Sequence, residues 1–151
     1  MSWWKRILSG EEAVKPQRLD YLNEGLALER QGDFEGAVTS YQLALRDQPN
    51  SVKILQFIAI ALSRTGRREE AIRHYRRALD LAPELAGAHY GLAFLLLKRG
   101  DTEQAAEHLR TFLDMPARDP EMARWVNHAR DTLERIEGGG GAVPATESDL
   151  T

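Results

Sequence analysis

Between about residues 18 and 137 the apolar residues recur at helical spacing, in short segments that glycine or proline separates. The segments LNEGLALERQG (22–32), LQFIAIALSRTG (55–66) and AHYGLAFLLLKRG (88–100) have apolar side chains three and four positions apart and contain no proline. Each ends in a glycine, which can adopt the left-handed conformation that closes a helix without a Cβ clash. The pattern predicts three helices, which end at Gly32, Gly66 and Gly100.

A second amphipathic segment follows each of these glycines and ends at a proline. Asp33 and Asp101 stand where an N-cap is needed, and Gln104 is placed to complete a capping box with Asp101. Arg67 occupies the corresponding place in the second copy, so we expect a weaker cap there. Proline forces the residue before it out of helical geometry, so each second helix is expected to end shortly before 49, 83 or 116.

The helix pairs repeat with a period of 34 residues. Three sets of positions share this register: Gly32, Gly66 and Gly100; Ala37, Ala71 and Ala105; Leu45, Leu79 and Leu113. The alanines allow two helices to approach closely, and tyrosines at 41 and 75 are expected to fill the space beyond them. A fixed period of this length is typical of stacked supersecondary units.

The register divides the chain into six parts: residues 1–17, three repeats at 18–51, 52–85 and 86–119, a capping helix at 120–137, and a glycine-rich acidic tail at 138–151, expected to be flexible. In the capping helix Asp119 is the expected N-cap and Pro120 the first helical residue. Its apolar face, which we expect Phe112 to contact, comprises Met122, Trp125, Val126, Ala129, Leu133 and Ile136.

These repeats resemble the tetratricopeptide repeat (TPR) family. The first copy matches its motif at Tyr21, Gly25, Leu28, Ala37, Tyr41, Ala44 and Pro49, and the other two copies match most of the same positions. The resemblance implies an all-α, right-handed α-solenoid of three helix-turn-helix units with a C-terminal capping helix. It also implies a non-enzymatic adaptor or scaffold that binds a hydrophobic peptide or helix in a concave groove.

The resemblance places the first helix of each repeat along that groove. We call the following residues the predicted groove: Leu22, Asn23, Leu26, Lys53, Gln56, Phe57, Ile60, Arg64, Tyr90, Phe94, Leu97 and Lys98. Glu29 faces the same side by the same resemblance. Leu22 and Leu26 stand where family members that clamp acidic chaperone tails have lysine and asparagine, so that clamp is absent. An apolar, aromatic centre with a basic rim favours a partner with an apolar or aromatic anchor and acidic flanks. Self-occlusion, homo-oligomerisation and packing between neighbouring helices remain alternatives.

Composition narrows the function further. The net charge of −3 gives no overall attraction to nucleic acid, and the absence of cysteine excludes disulfides and thiolate metal sites and suits a cytoplasmic location. No phosphate-binding loop or nucleophile motif is present, so we expect no catalysis, cofactor or metal. His74 and His108, one period apart, are expected to face outward rather than to bind metal.

Two charged segments leave other partners open. Trp3, Trp4, Lys5 and Arg6 could bind weakly at a membrane surface, dock on the protein itself or bind a partner, so a peripheral membrane adaptor is one alternative function. An arginine-rich segment spans 64–77, where a Glu69–Arg73 pair is expected to give a solvated helix face, and an acidic protein partner is the alternative. The size and repeat number also resemble chaperones of type III secretion, which hold apolar clients; this is the second alternative.

Overall fold

The computed structural model describes residues 20–116 and 119–139. Within them every helix or strand is an α-helix: α1 Tyr21–Arg30, α2 Phe34–Asp47, α3 Val52–Arg64, α4 Arg68–Leu81, α5 Ala86–Arg99, α6 Thr102–Asp114 and α7 Met122–Gly139. The predicted all-α fold is confirmed. The predictions for residues 1–17 and for 140–151, including those for Trp3 to Arg6, lie outside the described residues.

The turns inside the three hairpins have the predicted glycine geometry. Gly32, Gly66 and Gly100 have φ angles of 81°, 80° and 94°, and no other described residue has a positive φ. Asp33, Arg67 and Asp101 donate their backbone N–H groups to Leu28, Leu62 and Leu96 carbonyl oxygens, at 2.9, 3.0 and 2.9 Å. The same closing hydrogen bond therefore recurs in each hairpin, because each glycine supplies the same left-handed residue.

The N-caps follow the prediction at two hairpins and depart from it at the third. Asp33 accepts a hydrogen bond from the Gly36 N–H at 2.9 Å, as expected. Arg67 makes no side-chain cap, also as expected. The capping box at Asp101 is wrong: the Asp101 carboxylate accepts from Arg99 Nε instead, and Gln104 accepts from Arg76.

The helices pack as consecutive antiparallel hairpins, each second helix lying against the first helix of the next repeat. Ala37, Ala71 and Ala105 are completely buried in the core, as close contact between the helices requires. Tyr41 and Tyr75 are buried beside them. Because each unit contacts chiefly its neighbours, the core extends along the array.

Ion pairs join successive repeats along one edge. Arg67 contacts Glu35 of the preceding repeat at 3.2 Å, and Arg99 contacts Glu69 at 3.0 Å. The expected Glu69–Arg73 pair is therefore not formed, because Glu69 binds across the repeat boundary instead of along its own helix.

Helix α7 closes the C-terminal end of the array. It begins at Met122 rather than at Pro120, since Asp119 and Pro120 form a turn in which the Asp119 carboxylate accepts from the Glu121 N–H at 2.9 Å. It extends through Gly138 to Gly139, which the sequence assigned to the tail. Phe112 is buried in the same apolar cluster as residues of α7, as expected.

Candidate protein-binding groove

The predicted groove comes from α1, α3 and α5. These helices run in the same direction, because each is joined to the next through one antiparallel second helix. The structure places the twelve residues in three environments. Asn23, Lys53, Ile60 and Arg64 are exposed, Phe94 is buried, and the other seven are partly buried.

The part of the groove formed by α3 has an accessible apolar surface. Lys53, Phe57, Ile60 and Arg64 are spaced by four, three and four residues, so they share one face of the helix. The Ile60 side chain is 40% exposed, and among the described residues only Leu81 is another exposed large hydrophobic residue. This face therefore carries an apolar centre between two cations.

Aromatic rings orient the residues of this face. The Phe57 ring stacks on Tyr41 with centroids 5.6 Å apart, and Lys53 Nζ lies 6.0 Å from the Phe57 centroid. Arg64 lies over the ring of Phe34 at 5.8 Å. Neither cation forms an ion pair within the described residues, so both remain available to a carboxylate from elsewhere.

Two buried polar atoms lie beside the apolar centre. Glu29 Oε1 and Tyr41 Oη are each buried without a partner of normal hydrogen-bond geometry in the described part of the chain. They lie close together: burial first, then the charge of the Glu29 carboxylate and its side-chain hydrogen bonding, raise the pKa of Tyr41. The Tyr41 O–H is thus a weak donor to Glu29, whose carboxylate can accept a further hydrogen bond.

In the part of the groove formed by α5 the aromatic side chains are buried or partly buried, contrary to the expectation of an exposed aromatic centre. Phe94 is only 5% exposed. Its ring stacks on that of His128, with the ring centroids 4.6 Å apart and an angle of 5° between the ring planes. Tyr90 shares a 2.7 Å hydrogen bond between its Oη and His128 Nδ1, and it meets Trp125 edge-on at 5.1 Å. Phe94 is therefore part of the packing between α5 and α7 rather than an open contact residue.

The contact of α7 with the groove side of α5 is not predicted from the sequence. Trp125 is expected only on the apolar face of the capping helix, where it does pack, and His128 has no predicted role. The signal was present, because they lie 34 residues after Gly91 and Phe94 and so continue the register of the predicted groove. Extending the period into the capping helix would have placed both against α5.

The histidines form contacts of structural type. His74 Nδ1 lies 2.7 Å from the Glu70 carbonyl oxygen of its own helix, and both His74 and His108 are partly buried rather than facing fully outward as expected. His89 is buried, and its Nε2–H donates to the Pro83 carbonyl at 2.7 Å. Neutral His89 therefore accepts at Nδ1 from His108 Nδ1, 3.0 Å away. Burial, followed by the neighbouring His89, lowers the pKa of His108.

Two negative observations concern the described residues alone. Residues 20–116 and 119–139 contain no group of three or more histidine, aspartate or glutamate side chains that could hold a metal ion. None of the helices found there combines the length and the apolar character that crossing a membrane requires.

Comparison with known proteins identifies the repeats. A tetratricopeptide repeat model matches residues 65–125, and a second matches residues 21–54. No curated protein gives a significant match to the whole sequence.

Solved structures share the fold at low sequence identity. The type III secretion chaperone SycD of Yersinia enterocolitica, in complex with a peptide of the translocator YopD, has a TM-score of 0.76 at 16% identity, over 86% of this chain and 100% of that one. MamA has a TM-score of 0.71 at 17% sequence identity, and the match covers 97% of this chain and 78% of that one. The TPR domain of Sgt2 from Aspergillus fumigatus has a TM-score of 0.68 at 21% identity, and the match covers 88% of this chain and 89% of that one. With its glycine-closed hairpins, 34-residue register and matching models, the chain belongs to the tetratricopeptide repeat family.

Proposed function

We propose that this protein is a non-enzymatic adaptor that binds a hydrophobic peptide or helix along the predicted groove. The observation that carries the proposal is the face of α3, where Ile60 is 40% exposed between Lys53 and Arg64. An exposed apolar residue, flanked by cations that form no ion pair within the part of the chain that the structure describes, suits a partner with an apolar anchor and acidic flanks. The TPR assignment supports protein binding in general.

The burial of Phe94 narrows the proposed contact area to α1 and α3. Leu22, Leu26 and Phe57 each pack partly against the core and leave part of their surface accessible. The partner would therefore lie over the first two repeats, whereas α7 occupies the third.

A chaperone for an apolar client is the second candidate. It is supported by the similarity of the fold to SycD, whose structure contains a peptide of the translocator YopD. At 16% identity this similarity concerns the fold alone, so the client of this chain is left to experiment.

The first test compares Ile60→Asp with Leu81→Asp. The two residues are 40% and 45% exposed, and Leu81 lies at the end of α4, outside the predicted groove. Tagged variants would be used for affinity purification and mass spectrometry after circular dichroism shows wild-type helicity. We expect Ile60→Asp to lose a partner that wild type and Leu81→Asp both retain, because a buried carboxylate in an apolar contact is unfavourable. Equal recovery by all three proteins would reject the groove as the binding surface.

A further inference from the structure

The accessible apolar surface over α1 and α3 has an unmet chemical requirement in addition to its hydrophobicity. Ile60 is exposed, and Leu22, Leu26 and Phe57, which belong to the same predicted groove, are partly exposed. Glu29 Oε1 is buried close to Tyr41, on which Phe57 stacks, and has no partner of normal hydrogen-bond geometry in the described residues. A suitable occupant therefore combines large apolar side chains with a hydrogen-bond donor, and a cationic donor suits a carboxylate best.

Residues 3–8 of the same chain have this composition. The segment reads Trp3–Trp4–Lys5–Arg6–Ile7–Leu8, with four large apolar residues and two cations within six positions. Each tryptophan can bury on the order of 150–250 Å². Burying that area stabilises a contact more than an exposed ion pair does. The apolar residues would therefore supply most of the binding free energy, and a cation would orient the segment on the surface.

The connecting residues have a suitable length. Residues 9–19 join the segment to Asp20, which precedes α1. As a random coil they would span roughly 18 Å, and fully extended about 36 Å. Ile60 lies about 12 Å along α3 from Val52, and neighbouring helices are about 10 Å apart. The linker therefore matches the distance, a condition that gives an effective concentration in the millimolar range.

We propose that residues 3–8 dock intramolecularly over Phe57 and Ile60, where Lys5 or Arg6 donates to Glu29, and that a partner must displace them. This inference rests on the proposed function, because it assigns an internal competitor to the same surface. The segment acts as a tethered pseudo-ligand that excludes weak apolar partners. A partner with acidic flanks gains ion pairs to Lys53 and Arg64, which the basic segment cannot form.

Disulfide trapping tests the docking directly, since the chain contains no cysteine of its own. The full chain would carry Leu8→Cys with Ile60→Cys, and the matched control would carry Leu8→Cys with Leu81→Cys. We expect the first pair to form an intramolecular disulfide at least tenfold faster at micromolar protein. Adding Trp3→Ser and Trp4→Ser should reduce its rate to that of the control. Equal rates for the two pairs, or disulfides formed mainly between chains, would overturn the proposal.

A peptide with the sequence of residues 1–10 provides a second measurement. With a fluorescent label it should bind the full-length Trp3→Ser/Trp4→Ser variant at least tenfold more tightly than wild type, and Ile60→Asp should abolish this binding. Equal affinity for variant and wild type would contradict self-docking. If trapping fails while Ile60→Asp still loses the partner, only this inference fails. If trapping succeeds while the partner survives Ile60→Asp, the proposed function fails instead.

Discussion

At the scale of single residues, the packing depends on how each tyrosine of a second helix meets a first helix. The Tyr41 ring lies against Gly25 and stacks on Phe57. Tyr75 lies against Gly91, where any Cβ would overlap its ring. Phe57 and Gly91 occupy the same position of successive repeats. At this position of the next repeat, Tyr41 therefore meets the Phe57 ring, whereas Tyr75 meets Gly91 and uses the space that the missing side chain leaves.

The close approach at Gly25 can be tested with an alanine. A Cβ at Gly25 would overlap the ring of the fully buried Tyr41, which has no free space to move into. We expect Gly25→Ala to lower the free energy of unfolding by about 1–3 kcal/mol, the usual effect of overpacking. In Gly87→Ala the nearest atom, Gln56 Oε1, would be at 3.4 Å, so that control should stabilise by up to about 1 kcal/mol. Urea unfolding measures both, and equal stabilisation would contradict the packing.

The His89–His108 contact predicts a pH dependence. Because the pKa of His108 is lowered in the fold, the unfolded chain binds a proton first as the pH falls. Stability should thus decrease from about pH 6.5 downward, until folded His108 also becomes protonated. Arg76 adds to this effect and Glu107 opposes it. In urea unfolding measured between pH 7.5 and 5, His108→Gln should lose less folding stability with falling pH than wild type does. The same dependence of stability on pH in both proteins would exclude His108 as its source.

At the scale of helices, α7 packs against both helices of the third repeat. Trp125 and His128 contact Tyr90 and Phe94, and Arg110 on α6 binds Glu137 at 2.8 Å. The helix is thereby fixed against both α5 and α6. The apolar side of the third repeat is covered from within the chain.

Removing the Trp125 ring should loosen that end selectively. Trp125 is partly buried, so Trp125→Ala is expected to lower the free energy of unfolding by about 2–3 kcal/mol, below the range for a fully buried aromatic. Hydrogen exchange should accelerate in α6 and α7 more than in α2 and α3, because each unit depends on its neighbours. Asn127→Ala, at an exposed position of the same helix, should change stability by less than about 0.5 kcal/mol. Uniform acceleration across all helices would contradict local loosening.

The sequence predicted features whose causes are local and missed those that depend on competing contacts. Gly32 adopts a positive φ at little cost because it has no Cβ, and this can be read from one position. Asp101 fails as a side-chain cap because Arg99, two residues earlier, binds its carboxylate. Phe94 was assigned to an open surface because the family resemblance describes the repeat itself, whereas α7 covers that side chain. Competition for the Asp101 carboxylate is a tertiary property that spacing alone does not reveal, whereas the contact that covers Phe94 follows the 34-residue register to His128.

At the scale of the whole molecule, the groove side differs between the second and the third repeat. The α3 face leaves Ile60 accessible, whereas α7 covers Phe94 on α5. A single array thus combines a covered part and an accessible part. The proposed binding and the proposed self-docking both belong to the accessible part.

The glutamates of the inter-repeat ion pairs also bear on how such a chain can lengthen during evolution. Glu35 and Glu69 occupy the same position of their repeats and accept an arginine from the next one. If residues 52–85 were duplicated in tandem, Arg67 of the new copy would meet Glu69 of the old. Its Phe57 would meet Tyr75, as Phe57 meets Tyr41 in the present chain. A single gene duplication would therefore insert a repeat with compatible neighbours on both sides and leave the α7 end unchanged.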